Sequence, residues 1–263
     1  MRRSLEGLLP PANRPRGHHQ RPFVTLTYAQ TLDGSIATAS GQTLLISGDA
    51  SMLMTHRLRA AQEAIMVGIG TVTADNPRLN ARLPQTPSLD HIEVTTAAEA
   101  AAATTPATAE CNQPRPVVLD SKLRCPPTAR FLTIKNRPQP LVFCSKQHFN
   151  GARADALAEQ GAKVIQVDEV GDSGALDLVQ VLEALGDAGV QSVMVEGGSG
   201  VIKSFLRQRL ANRVVITIAP SFAGGLRAVE EGSLLTIQSL SGVTYQQFGS
   251  DIVVTGWLNE EGK

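Results

Sequence analysis

Ser192-Val-Met-Val-Glu-Gly-Gly-Ser-Gly200 passes from a short apolar run into a glycine loop, and Val201-Ile-Lys-Ser-Phe-Leu-Arg207 continues it with helical spacing. Strand, glycine turn and helix in that order form the repeating unit of a parallel sheet. Glycines let a ligand approach the backbone closely, and the first N–H groups of a helix are unpaired donors, so a phosphate can sit at such a turn. An ordinary βα turn favours the same residues for steric reasons alone. The local pattern leaves both readings open.

Outward from this unit, residues 23–29, 64–69, 116–119, 141–143 and 163–167 are further short runs, apolar or β-rich. They read as buried strands. Helical stretches over 49–61, 151–160, 175–188 and 199–210 alternate with them, each bounded by Ser, Asp, Gly or Asn. Past residue 212 the helices stop, and 214–219, 243–248 and 251–257 are strand-like, with Gly249-Ser250 as a hairpin turn. The expected fold class is α/β: a mixed, mainly parallel central sheet covered on both faces, with antiparallel strands at its C-terminal edge.

Residues 84–115 are rich in Ala, Thr and Pro without a strand pattern and read as an insertion or mobile loop, with a short helix possible over 97–103. Residues 1–21 carry five arginines and one acid, a composition that transit peptides share with plain disordered tails. Pro10, Pro11 and Pro15 oppose an amphipathic targeting helix, so a disordered basic tail is expected, followed by one domain over 22–260.

Across the 263 residues, 24 Lys plus Arg balance 24 Asp plus Glu, which gives no reason to expect nucleic acid or an anionic membrane as partner. No apolar run reaches the length of a membrane span. Cys111, Cys125 and Cys144 fit neither a disulfide framework nor a C-x-x-C pair, and a reducing cytoplasm is the natural compartment. The scattered histidines show no metal-ligand spacing, so no metal is expected.

The standard nucleotide fingerprints fail here. Gly68-Ile-Gly70 lacks the third glycine of the Rossmann pattern, Lys203-Ser204 lacks the glycine of a Walker loop, and Gly198-Ser199-Gly200 misses the spacing of a hydrolase elbow. Thr71 and Asp75 follow the 64–69 strand on what reads as a polar loop, where they could bind ribose hydroxyls or cap a short helix. Thr31-Leu-Asp-Gly34 reads as a turn in which Asp33 accepts backbone N–H bonds and Gly34 takes a positive φ. Arg59 and Arg82 locally read as solvated arginines, His56 as a helix-surface residue, and Met52, Met54 and Met66 as core fillers.

Together, Leu32-Asp-Gly-Ser-Ile-Ala, Ala39-Ser-Gly-Gln-Thr43, Leu58-Arg-Ala60, Gly70-Thr-Val-Thr-Ala-Asp75-Asn-Pro and Val195-Glu-Gly-Gly-Ser-Gly200 resemble the diaminopyrimidine reductases of riboflavin biosynthesis. The resemblance runs from about residue 22 to 257, with 84–115 outside it. It implies a dihydrofolate-reductase-like, three-layer αβα fold. Bifunctional relatives carry a zinc deaminase with His-x-Glu and Pro-Cys-x-x-Cys motifs; neither is found here, which resembles the stand-alone form.

What the resemblance implies is NADPH-dependent reduction of the ribosylamino group of 2,5-diamino-6-(ribosylamino)-4(3H)-pyrimidinone 5′-phosphate to ribitylamino. Thr71, Asp75, Gly197, Gly198, Ser199 and Gly200 would hold NADPH, with Ala29 and Ser121 as further cofactor positions. Thr43, Arg59, Arg82 and Glu196 would face the substrate, the arginines suiting its phosphate. Ser145-Lys146 is a candidate for a cofactor 2′-phosphate, and Asp33 or Glu196, through a water, for supplying a proton. Leu45 stands where many bifunctional relatives have Trp. A homodimer is implied. A reductase of the deaminated pyrimidine or of a pterin, and a non-catalytic nucleotide-binding regulator, stay open beside this reading.

Overall fold

A computed structural model of the chain describes residues 21–84, 112–171, 174–229, 232, 234 and 236–258. The expected tail over 1–21 lies outside them except for residue 21, and the expected insertion over 84–115, with its short helix over 97–103, lies outside them except for residues 84 and 112–115, of which Arg115 already belongs to a strand. In chain order the elements are β1 (Phe23–Thr31), β2 (Ser35–Ala37), α1 (Asp49–Ala60), β3 (Ala64–Gly68), α2 (Ile69–Asp75), β4 (Arg115–Leu119), β5 (Leu141–Ser145), α3 (Gly151–Glu159), β6 (Lys163–Val167), β7 (Glu169–Val170), β8 (Ala175–Leu176), α4 (Leu178–Asp187), β9 (Ser192–Val195), α5 (Ser199–Arg207), β10 (Arg213–Ala219), β11 (Leu226–Arg227), β12 (Ser241–Phe248) and β13 (Asp251–Trp257).

Nine strands make one sheet in the order β12-β13-β10-β1-β9-β3-β4-β5-β6. From β10 to β6 every pairing is parallel, whereas β13 runs antiparallel to both β10 and β12. This is the expected mixed sheet with an antiparallel C-terminal edge. Gly249, at φ 61°, makes the β12–β13 turn.

Alternation along the central strands feeds two cores. Val24, Leu26, Met66, Val193 and Val195 pack with Val181, Leu182 and Leu185 of α4 and with Ile202 and Phe205 of α5. On the opposite face Ile65, Val67, Val118 and Val142 meet Leu157 of α3 and Phe131, and Met194, Val215 and Val253 meet Met54 and Leu58 of α1. The result is three layers, αβα. Each such aliphatic side chain, fully buried, contributes about 1.5–3 kcal/mol. Met54 and Met66 are core residues as expected, but Met52 faces solvent on α1.

Two helical expectations need correction. The polar loop after β3 is helix α2, with Ile69 and Val72 buried one turn apart. Gly70 and the β-branched Thr71, Val72 and Thr73 are poor helix formers, so packing against the sheet outweighs propensity here. The stretch 175–188 splits into β8 and α4, because the Asp177 carboxylate accepts the N–H groups of Val179 and Gln180 and starts the helix there. No described helix is long and apolar enough to cross a membrane.

Candidate functional site

Parallel α/β sheets offer ligands the crevice beyond the carboxyl ends of their strands, where connections diverge. The adjacent strands β3 and β9 end here at Gly68 and Val195, and α2 and α5 start directly after them. Gly68 and Gly198 are the N-caps, and neither helix receives a side-chain cap, whereas α3 and α4 are capped by Asn150 and Asp177. The first N–H groups of α5 therefore remain as donors with partial positive charge at the cleft.

The glycines divide by what surrounds them. A Cβ on Gly197 would lie 2.6 Å from Val201 Cβ, and one on Gly68 2.9 Å from Val201 Cγ2, so these two let α5 pack tightly onto β3 and β9. Gly70 and Gly200 have open space where a side chain would be. A Cβ on Gly198 would come within 3.5 Å of Thr71 Oγ1, which joins the two helix starts into one wall. An uncapped helix start with open glycines beside a hydroxyl suits a dinucleotide phosphate chain.

Across the cleft, Arg59 in the last turn of α1 forks onto Glu196: Nε to Oε1 at 2.6 Å and Nη2 to Oε2 at 2.5 Å. Both side chains are 16% exposed. Burial opposes the guanidinium charge, but Glu196 more than offsets this and holds the Arg59 pKa above its ordinary value. Two of its donor groups are thus committed to Glu196, which leaves exposed Arg82 the freer arginine for a phosphate. Burial foremost, then the charges of Arg59, Arg78 and Arg130, press the Arg82 pKa down against the opposite pull of Glu196. Thr43 donates its hydroxyl to Asp75 Oδ1, bringing a predicted substrate position and a predicted cofactor position together.

His56 is buried, contrary to its expected place on the helix surface. Its Nδ1 accepts the backbone N–H of Arg82 at 3.3 Å and lies 3.5 Å from Arg59 Nη1. Burial first, then the charges of Arg59 and Arg82, push its pKa down from 6.5 to about 3, so it is a neutral acceptor.

His56 belongs to a set that sequence reading missed, which holds the irregular segment 76–82. Gln113 pairs with Ala81 like a strand, Oε1 accepting the N–H at 3.2 Å and Nε2 donating to the carbonyl at 3.1 Å. Arg137 donates to the carbonyls of Arg78 at 3.0 Å and Leu79 at 2.9 Å. Asn76 Oδ1 accepts the backbone N–H of Arg130 at 2.8 Å. Asn76 and Leu79 sit at φ 42° and 47°, a left-handed conformation that asparagine tolerates and that is uncommon for a side chain such as leucine's. No periodicity marks such bracing, because every partner lies far off in sequence or on another element.

Ala29 on β1 and Ser121 after β4 flank this centre from either side. Ser145 is buried and caps Gln147, and Lys146 pairs with Asp168 at 2.9 Å on the surface. Leu45 is fully exposed. Asp33 accepts the hydroxyls of Thr31 and Ser35 and the backbone N–H groups of Ala223 at 3.2 Å and Gly224 at 2.7 Å. The Thr31 hydroxyl foremost, with Gly224, Ala223 and Ser35, holds its carboxyl well below the usual range. Asp33 is thus a clasp between the β1–β2 turn, where Gly34 has φ 81°, and the loop after β10. Among the described residues no His, Cys, Asp and Glu cluster is arranged to hold a metal ion.

The profile of the RibD C-terminal domain matches residues 22–254. The 2,5-diamino-6-ribosylamino-4(3H)-pyrimidinone 5′-phosphate reductase of Archaeoglobus fulgidus is 36% identical over 208 residues, 78% of this chain and 83% of that protein. The riboflavin biosynthesis protein RibD of Aquifex aeolicus is 28% identical over 89% of this chain, which spans only 57% of that protein. Among solved structures, the riboflavin biosynthesis reductase Rib7 of Saccharomyces cerevisiae superposes with a TM-score of 0.70 at 25% identity, covering 97% of both chains.

Proposed function

Because the chain belongs to the family of the RibD C-terminal domain, we propose that it is an NADPH-dependent reductase of riboflavin biosynthesis that converts the ribosylamino group of 2,5-diamino-6-(ribosylamino)-4(3H)-pyrimidinone 5′-phosphate to ribitylamino. The observation that carries this is convergence. The motif segments around Thr43, Arg59, Thr71–Asp75 and Glu196–Gly200, far apart in sequence, meet through the Thr43–Asp75 bond, the Arg59–Glu196 pair and the approach of Gly198 to Thr71. The aminated substrate is favoured by a relative of that name matching over most of both chains.

When bound, NADPH supplies the hydride that ends on C1′ of the opened sugar. The start of α5 (Gly198, Ser199, Gly200), with Gly197 setting its packing, and Thr71 and Asp75 would hold the cofactor, with Ala29 and Ser121 on its flanks. Arg82 would take the substrate phosphate, and Thr43 the substrate beside Asp75. Arg59 fixes the direction of Glu196, whose remaining lone pairs can accept from a sugar hydroxyl or a ring N–H. Both Glu196 oxygens act as acceptors and Asp33 is spent on its clasp, so neither is the proton donor in this reading.

The reading takes 22–260 as one reductase domain and the cytoplasm as its compartment, in keeping with buried free thiols at Cys125 and Cys144. It also takes the active form as a homodimer, for which the exposed C-terminal strands offer a surface. The test is NADPH oxidation by the purified protein with aminated and deaminated substrates. Faster turnover of the aminated compound is expected. Preference for the deaminated one would shift the reading to the other reductase, and tight NADPH binding without turnover of either would make the protein a nucleotide-binding regulator.

A further inference from the structure

Segment 76–82 carries Arg82 to the cleft, yet it has neither helical nor strand hydrogen bonding of its own after Asn76. Its shape depends on side chains from elsewhere, and among them Arg137 differs in kind. Gln113 does its work at Ala81 with a neutral amide. Arg137 does comparable work with a charge: its two terminal nitrogens go to the successive carbonyls of Arg78 and Leu79, and its Nε is buried with no partner among the described residues. Burial alone lowers its pKa to about 10, which reflects a cation held without a carboxylate to offset it. The guanidinium is only half-buried, and what it adds over a neutral amide is a planar fork that holds two successive carbonyls at once.

We infer that Arg137 is a positioning residue for the substrate phosphate: its fork onto Arg78 and Leu79 fixes the left-handed turn at Leu79 that places Arg82 beside the Arg59–Glu196 pair. The fork matters because Leu79 is at φ 47° and would relax without a brace. A lysine offers one compact donor group and cannot span two successive carbonyls in a plane. The inference rests on the function proposed above for which phosphate is bound, but not for whether one is bound.

The experiment compares wild type with Arg137→Lys, Arg137→Gln and Arg82→Ala, and with the double variants at 82 and 137. KM for the phosphorylated pyrimidine is expected to rise about tenfold in Arg137→Lys and more in Arg137→Gln, while kcat and the Kd for NADPH stay near wild type. In the Arg82→Ala background the Arg137 changes should add little, since both act on one contact. A merely structural role would instead move NADPH affinity and KM together, or add fully to Arg82→Ala, and either result overturns the inference. Calorimetric titration with inorganic phosphate tests it without turnover: weaker binding in Arg137→Lys than in wild type is expected, and equal binding overturns it. If wild type binds phosphate but reduces no pyrimidine, the proposed function fails and this inference stands. Should Arg137→Gln not fold, Arg137→Lys, which keeps the charge and loses the fork, decides alone.

Discussion

A proton on His56 would sit against the guanidinium of Arg59 and the N–H of Arg82, with little water to stabilise it. Its pKa falls from 6.5 to about 3 on folding, so between these values the unfolded chain binds more protons than the folded one. The stabilisation is fully present above pH 6.5 and is lost as the pH falls towards about 3. Melting temperature should therefore drop between neutral pH and about pH 4.5, and His56→Gln, which keeps an acceptor without a titrating ring, should flatten that slope. An unchanged slope in the variant would assign the pH effect to other groups. At this scale the sequence was only half legible. Arg59 and Glu196 are recognisable from their motifs, but not as partners, because 137 positions separate them. His56 looks like a surface residue because what buries it, segment 76–82, returns from beyond the next strand.

Helix α5 shows how one glycine loop serves two needs. Gly197→Ala would drive a methyl group into Val201, 2.6 Å away, and overpacking of this kind costs about 1–3 kcal/mol. A fall in Tm of about 5 °C is expected by calorimetry. Gly200→Ala has open space and a better helix former, so its Tm should hold or rise slightly, while NADPH affinity falls about tenfold because the methyl occupies the approach to the α5 start. If Gly200→Ala bound NADPH normally, the start of α5 would not be the cofactor wall. The loop as a turn was legible in its spacing. The steric share of Gly197 was not, since the neighbouring wall depends on how α5 lies over β3. Helix α2 was hidden for a related reason: its composition argues for a loop, and only the sheet beneath Ile69 and Val72 makes it helical.

Over the whole molecule, alternating apolar runs and helical stretches sufficed for a covered, mainly parallel sheet, but not for its strand order. The antiparallel edge leaves Tyr245 and Ile252 exposed, while Val254, cross-strand from Tyr245, pairs with Ile216 and extends that row inward to Tyr28. If two copies meet there, light scattering should give a dimer mass for wild type and a monomer for Tyr245→Lys with Ile252→Glu; a dimer surviving both changes would place the contact elsewhere. The position of β1 has a different consequence. This strand leaves the ribosome well before the strands it pairs with, β9 and β10, Phe23 opposite Ser192 and Thr25 opposite Arg213. Such long-range closure is slow and keeps an apolar strand unpaired during synthesis. Of the strands in this sheet, β1 comes first in chain order and is among the last to be enclosed, so its apolar residues stay uncovered until translation has passed Ala219.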